Sequence, residues 1–172
     1  MSTSNARVRE SLERLRRVFV ERPAAARKSN PPASATWQDG LRCEVTGLHG
    51  ERLVTDMTPA MGGDGTGPNP GWLLRASLAS CTTTTIAVRA ACLGIALTSL
   101  KVTVHSESDA RGLIGMDGIS SALSGLRMSI EIGADNVPEH QLRDLAEIGE
   151  AQSPVNCTLR ERPPLAIEVS LV

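Results

Sequence analysis

Aromatic residues are nearly missing from this chain of 172 residues: one Phe, two Trp and no Tyr, 2% in all. Its core must therefore be built from Leu, Ile, Val, Ala and Met. Capture of single-stranded nucleic acid by stacking bases on aromatic side chains is excluded as a main activity. Paired-cysteine signatures are missing too. The four cysteines, Cys43, Cys81, Cys92 and Cys157, show no CxxC and no metal-ligand spacing, and neither do the three histidines, His49, His105 and His140. No metal or other cofactor is expected, and the thiols are expected to be reduced. The glycine-rich "MGGDGTGPNPG" contains neither GxGxxG nor GK[ST], which argues against a nucleotide site. No stretch reaches the roughly 18 uncharged apolar residues of a membrane span. No apolar run follows the first basic residues, as a secretory signal requires, and Glu10, Glu13 and Glu21 are out of place in an acid-poor transit peptide. A soluble cytoplasmic protein is expected, with no nucleic-acid and no membrane partner.

What the chain does have is aliphatic bulk. Hydrophobic residues are 41%, and the length suits one domain with a real core. The net charge of −1 is unevenly spread. Residues 1–28 carry eight basic and three acidic groups, net +5, and the remainder is net −6. A basic amphipathic segment of this kind docks on its own acidic body or on a partner subunit more often than on a membrane or nucleic acid.

Val8, Leu12, Leu15, Val18 and Phe19 recur at helical spacing, so residues 7–22 read as an amphipathic helix ended by Pro23. Residues 23–36 are rich in Pro, Ala and Ser and read as a linker. "LRCEVTG" alternates as a half-buried strand does, and "HGERLVTD" follows as a turn and a second strand. "SLKVTVHSES" and "GLRMSIEIG" each put apolar residues on one face, with a loop over 112–125 between them. Residues 139–150 read as a helix with Leu142, Leu145, Ala146 and Ile148 inward. "SPVNCTL" reads as a short helical turn, and "PLAIEVSLV" as a final alternating strand. One-sided strands belong to antiparallel sheets covered on one face, here by two or three helices. The fold class is α+β.

The most apolar segment is "NPGWLLRASLASCTTTTIAVRAACLG". Asn69 suits an N-cap, Pro70 the first helical position and Gly94 a left-handed cap, which predicts a helix over 70–93. It has no charge from Ala76 to Val88, so it needs burial on more than one side. Thr82 to Thr85 are β-branched and weaken a helix slightly; a buried strand at "TTTTIAV" is the competing reading. Leu74, Ser77, Leu78, Cys81, Thr85, Val88 and Cys92 share one helical face. Cys81 and Cys92 stand about 16 Å apart along such a helix and cannot bridge. On position alone Cys81 reads as a small apolar core residue.

"GPNPGWLLRASLASC" followed by "ACLGIAL" resembles the family of osmotically inducible protein C and the organic hydroperoxide resistance proteins (OsmC/Ohr). That pattern is a Gly-rich loop, Asn-Pro-Glu, an alanine-rich helix carrying Cys, then Gly and a strand. A second family motif, Cys-Pro-Val before the last strand, is matched by "SPVNCTLRERPPLAIEV". The resemblance spans roughly residues 39–172 and divides the chain into a basic N-terminal helix with linker (1–30) and an OsmC-like domain (31–172). It implies an intertwined homodimer in which antiparallel sheets wrap around long central helices. It also implies thiol-dependent reduction of organic hydroperoxides, in which a reactive Cys becomes a sulfenic acid and the Cys of Cys-Pro-Val resolves it to a disulfide. An Arg favours the thiolate and a Glu holds that Arg.

Carried over residue by residue, Cys81 matches the reactive Cys. Ser153 stands where the resolving Cys should be, and Gly71 where Glu follows Asn-Pro. Arg27 lies in the region where the activating Arg is expected, although such an Arg is more often a plain surface charge, and Arg42 and Arg75 are substitutes. Cys157, four residues after Ser153, is either a displaced resolving thiol or a half-buried Cys on a short helix. The resemblance thus implies a cytoplasmic peroxidase of oxidative-stress defence, acting on a small hydroperoxide with an external dithiol as reductant. The alternative is a non-peroxidase dimer that binds a small apolar or electrophilic ligand.

Overall fold

The computed structural model describes residues 3–171, with side chains from Asn5 onward. In chain order the elements are α1 (Thr3–Glu21), β1 (Ala33–Asp39), β2 (Arg42–Gly47), β3 (Arg52–Thr55), α2 (Pro70–Leu93), β4 (Leu97–Glu107), the short α3 (Ala110–Leu113), β5 (Ser124–Ala134), α4 (Glu139–Ala151) and α5 (Pro154–Glu161). Strands β1, β2 and β3 form an antiparallel meander, and β4 and β5 a second sheet. The α+β class is as the sequence predicts. Two compact units result, one from residues 78–103 and 128–171 with the start of α1 up to Val8, the other from residues 9–77 and 104–127. Among the described residues no helix is long and apolar enough to cross a membrane.

Helix α2 forms where its caps dictate. Asn69 Oδ1 accepts a hydrogen bond from the Trp72 N–H at 2.8 Å. At the other end Gly94 takes φ +72°, which a Cβ would oppose. The Ile95 N–H then reaches the Ala90 carbonyl at 2.9 Å and the Gly94 N–H the Ala91 carbonyl at 3.1 Å. Those two bonds close a Schellman motif. Two hydroxyls of the threonine run bond within the helix: Thr83 Oγ1 donates to the Ala79 carbonyl and Thr85 Oγ1 to the Cys81 carbonyl. The helical reading of this run holds, and the strand reading is excluded.

The first unit's core is Ile86, Ala90, Ile95 and Leu145, with Leu97, Leu100, Val102, Ile130 and Ile132 packed against it. Its placement defines the buried line of α2 and corrects one expectation on α4. The buried line of α2 is Leu78, Thr82, Ile86 and Ala90, one position round from the face of Cys81, Thr85, Val88 and Cys92. On α4 the buried residues are Leu145, as expected, and Gly149, while Ile148 is turned out. A Cβ on Gly149 would lie 2.3 Å from Ile86 Cγ1, so only glycine lets α4 approach α2 this closely.

The second unit holds the β1–β2–β3 meander and a loop organised by Asp56. The carboxylate of Asp56 is buried and accepts from the N–H groups of Met57 (2.7 Å), Asp64 (3.1 Å) and Thr66 (3.0 Å) and from Thr66 Oγ1 (2.9 Å). These bonds hold its pKa below the usual carboxylate value, the Thr66 N–H most of all.

Two further expectations differ. Residues 33–36 belong to β1, not to a linker; "ASATWQD" is exposed throughout, so it carries no apolar alternation to signal a strand. The expected final strand is unpaired in this chain as far as Leu171, and Val172 lies outside the described residues. Leu165, Ile167, Val169 and Leu171 are 86%, 79%, 80% and 94% exposed. Alternation supplies a strand with a face, but the strand exists only where a sheet edge takes up its backbone.

Candidate functional site

Cys81, Ser153 and Cys157 all belong to the first unit, on α2 and at or within α5. Cys81 is half-buried on α2, next to the fully buried Thr82. Asn69 caps that helix and Pro70 starts it eleven positions before Cys81, and so they set which way the thiol faces.

Ser153 is the N-cap of α5, with 0% of its surface exposed, and its Oγ is buried without a partner. Pro154 at the first helical position starts α5 there. The Cys157 N–H donates to the Ser153 carbonyl at 2.9 Å, so the two lie one turn apart, as their spacing predicts. Ser153 points inward, whereas Cys157 is half-buried. The Cys157 thiol donates to the Ala151 carbonyl at 3.2 Å, and Arg160 Nη1 stands 4.0 Å from its sulfur. The described hydrogen bonds give the Cys81 sulfur no guanidinium partner.

The link between the helices is Asn156, 5% exposed. Its Nδ2 donates to Thr82 Oγ1 at 3.1 Å, to Glu150 Oε1 at 2.9 Å and to the Glu150 carbonyl at 3.3 Å, while its Oδ1 is buried without a partner. The Glu150 carboxylate also pairs with Arg160. A continuous polar chain thus runs from Arg160 through Glu150 and Asn156 to Thr82, the neighbour of Cys81. Sequence reasoning missed all four residues. The only signal was positional: Glu150 and Asn156 stand three before and three after Ser153, where each reads as a plain helix-end polar residue.

Arg27 belongs to the other unit, is exposed, and follows a 3-10 turn at Pro23–Ala26. Arg42 is also exposed and donates to Gln38 Oε1 at 3.0 Å. Arg75 is half-buried on the second turn of α2 and donates through Nη1 to Ser106 Oγ at 3.0 Å. Gly71 leaves the first turn of α2 with no carboxylate. A separate groove of about 860 Å³ in the first unit runs along β5 and α4, with Met128, Ile130, Ile132, Leu142 and Ala146 in its wall.

The elements carrying Cys81 and Ser153 are those that known proteins share with this chain. The family model for OsmC-like protein matches residues 63–168, which include all of α2, β4, β5, α4 and α5. The chain belongs to the OsmC-like family. Among solved structures, an OsmC-like protein from Mycoplasma pneumoniae aligns with TM-score 0.65 and 18% identity, over 78% of this chain and 89% of that one. An osmotic stress induced and detoxification response protein from Psychrobacter arcticus aligns with TM-score 0.61 and 21% identity, over 77% and 90%. An organic hydroperoxide resistance protein OsmC from Legionella pneumophila aligns with TM-score 0.59 and 19% identity, over 78% and 91%. No curated protein sequence matches the chain. The OsmC-like fold therefore frames Cys81, while the chemistry has to be read from the site itself.

Proposed function

We propose that this OsmC-like chain is a thiol-dependent organic hydroperoxide reductase of oxidative-stress defence, acting in the cytoplasm as a homodimer through Cys81. The observation that carries the reading is the half-buried Cys81 on the long helix α2, beside a residue tied directly to α5. The Cys81 thiolate attacks the distal oxygen of R–OOH. The O–O bond breaks, the alkoxide leaves and takes a proton to become R–OH, and Cys81 keeps the other oxygen as a sulfenic acid. By its place in the sequence Arg27 is the candidate for the guanidinium that favours the thiolate, and in this chain it is an exposed side chain. Residues 31–172 form the OsmC-like body and residues 1–30 an appended segment.

Ser153 cannot form a disulfide, and the Cys157 thiol is turned to the Ala151 carbonyl. We therefore assign reduction of the sulfenic acid to an external dithiol. Its first thiol attacks the Cys81 sulfur and releases water. Its second thiol displaces Cys81 as the free thiol. The homodimer is supported by what one chain leaves partly or wholly uncovered: the half-buried Cys81 and Val88 on α2, the groove along β5 and α4, and the exposed alternating residues 165–171.

A second reading, a dimer that binds a small apolar or electrophilic ligand, is favoured by the missing thiol at Ser153 and the missing carboxylate at Gly71. Consumption of cumene hydroperoxide in the presence of dithiothreitol separates the two. The peroxidase reading expects turnover that Cys81→Ser reduces to background; equal rates for the two proteins overturn it.

A further inference from the structure

A cavity of about 240 Å³ in the second unit is walled by Asp56, Met57, Pro59, Asn69, Trp72 and Arg75. Its two charged groups are in opposite situations. The Asp56 carboxylate is saturated by three N–H groups and one hydroxyl. Arg75 has a single neutral acceptor, Ser106 Oγ, and among the described residues no carboxylate pairs with it. A half-buried guanidinium with most of its donors unused is a ready partner for an anion. Trp72, 48% exposed, and Met57 and Pro59 give the same cavity apolar walls.

Gly71 decides what fills the space beside Arg75. A Cβ built on Gly71 would lie 3.7 Å from Arg75 Nη1 and 3.7 Å from Leu123 Cδ1. Residue 71, a glycine, therefore supplies no side chain to the guanidinium. Asn69 Oδ1, 3.3 Å from that point, is an acceptor committed to the Trp72 N–H, so it does not occupy the Arg75 guanidinium.

We propose that this cavity binds a small organic carboxylate, with its carboxylate on Arg75 and its apolar or aromatic body against Trp72, Met57 and Pro59. The size admits a single ring or a short alkyl chain. The site does not depend on the peroxidase reading, and its test reads binding alone.

Benzoate and benzyl alcohol, matched in shape but not in charge, are titrated against the full chain carrying Trp37→Phe, with Trp72 fluorescence as the signal. Saturable benzoate binding is expected, with benzyl alcohol about tenfold weaker, as loss of one charged hydrogen-bonded pair predicts. Arg75→Leu weakens benzoate by a similar factor, and Arg75→Lys retains most of the binding. Gly71→Glu abolishes it by supplying an internal carboxylate. Equal affinity for the two probes, or unchanged benzoate binding in Arg75→Leu, overturns the proposal. Should Arg75→Leu fail to fold, the comparison of the two probes on the protein with Arg75 intact decides by itself.

Discussion

Asn156 Nδ2 donates to Thr82 Oγ1 at 3.1 Å and so joins α5 to α2 across 74 positions of chain, one residue from Cys81. Both partners are buried, Thr82 fully. Removing a partner from a buried hydrogen bond costs more than the bond is worth, because the other group is left dry and unpaired. Asn156→Leu strips donors from Thr82 and from Glu150 at once. It is expected to lower stability in urea unfolding by about 1–3 kcal/mol. Thr82→Val, which leaves Asn156 its Glu150 acceptors, is expected to cost about 1 kcal/mol or less. Equal stability of Asn156→Leu and the parent would make this link a bystander.

At Gly149 two effects oppose each other, and their sizes decide the sign. Helix propensity alone favours Gly149→Ala by about 1 kcal/mol. The added methyl would lie 2.3 Å from Ile86 Cγ1 and 3.0 Å from Ile86 Cα, so side chain and backbone both have to shift. Overpacking of this kind costs about 1–3 kcal/mol. A net loss of stability is expected in thermal or urea unfolding. A gain would mean that α4 stands farther from α2.

The Asp56 loop predicts how stability depends on pH. A carboxylate whose pKa is depressed on folding contributes stability that is fully present above its unfolded value, about 4. That contribution is lost as pH falls through the lower, folded value. Asp56→Asn should destabilise the protein at neutral pH and flatten the acid limb of a stability–pH curve below about pH 4. Parallel curves for the two proteins would contradict the assignment.

The exposed apolar residues 165–171 predict the state of association. Under the homodimer reading, light scattering gives twice the 18.2 kDa chain mass at micromolar concentration. Deletion of residues 163–172 shifts the protein toward the monomer or into aggregates. An unchanged mass on deletion would remove this segment from the interface.

Local rules read α2 to the residue, because Asn69, Pro70 and Gly94 act within one turn of each end. The strands with apolar alternation, β2, β4 and β5, were legible for the same reason. β1 was not, because "ASATWQD" owes its conformation to β2 and not to a face of its own. The final strand was read from alternation that no sheet edge among the described residues satisfies. Cys81 and Ser153 were found through the family pattern, whereas Asn156, Glu150 and Arg160 matter only through tertiary contacts with residues far away or on the next helix.

Mass spectrometry of the protein after one equivalent of cumene hydroperoxide tests the central claim most directly. A single added oxygen on Cys81, trapped as a sulfenic acid and reversed by dithiothreitol, is the predicted result, with Cys43, Cys92 and Cys157 unmodified. A clean Cys81–Cys157 bridge would replace the external dithiol with a displaced resolving cysteine. An unmodified Cys81 under excess peroxide would contradict the peroxidase account and leave the ligand-binding dimer in its place.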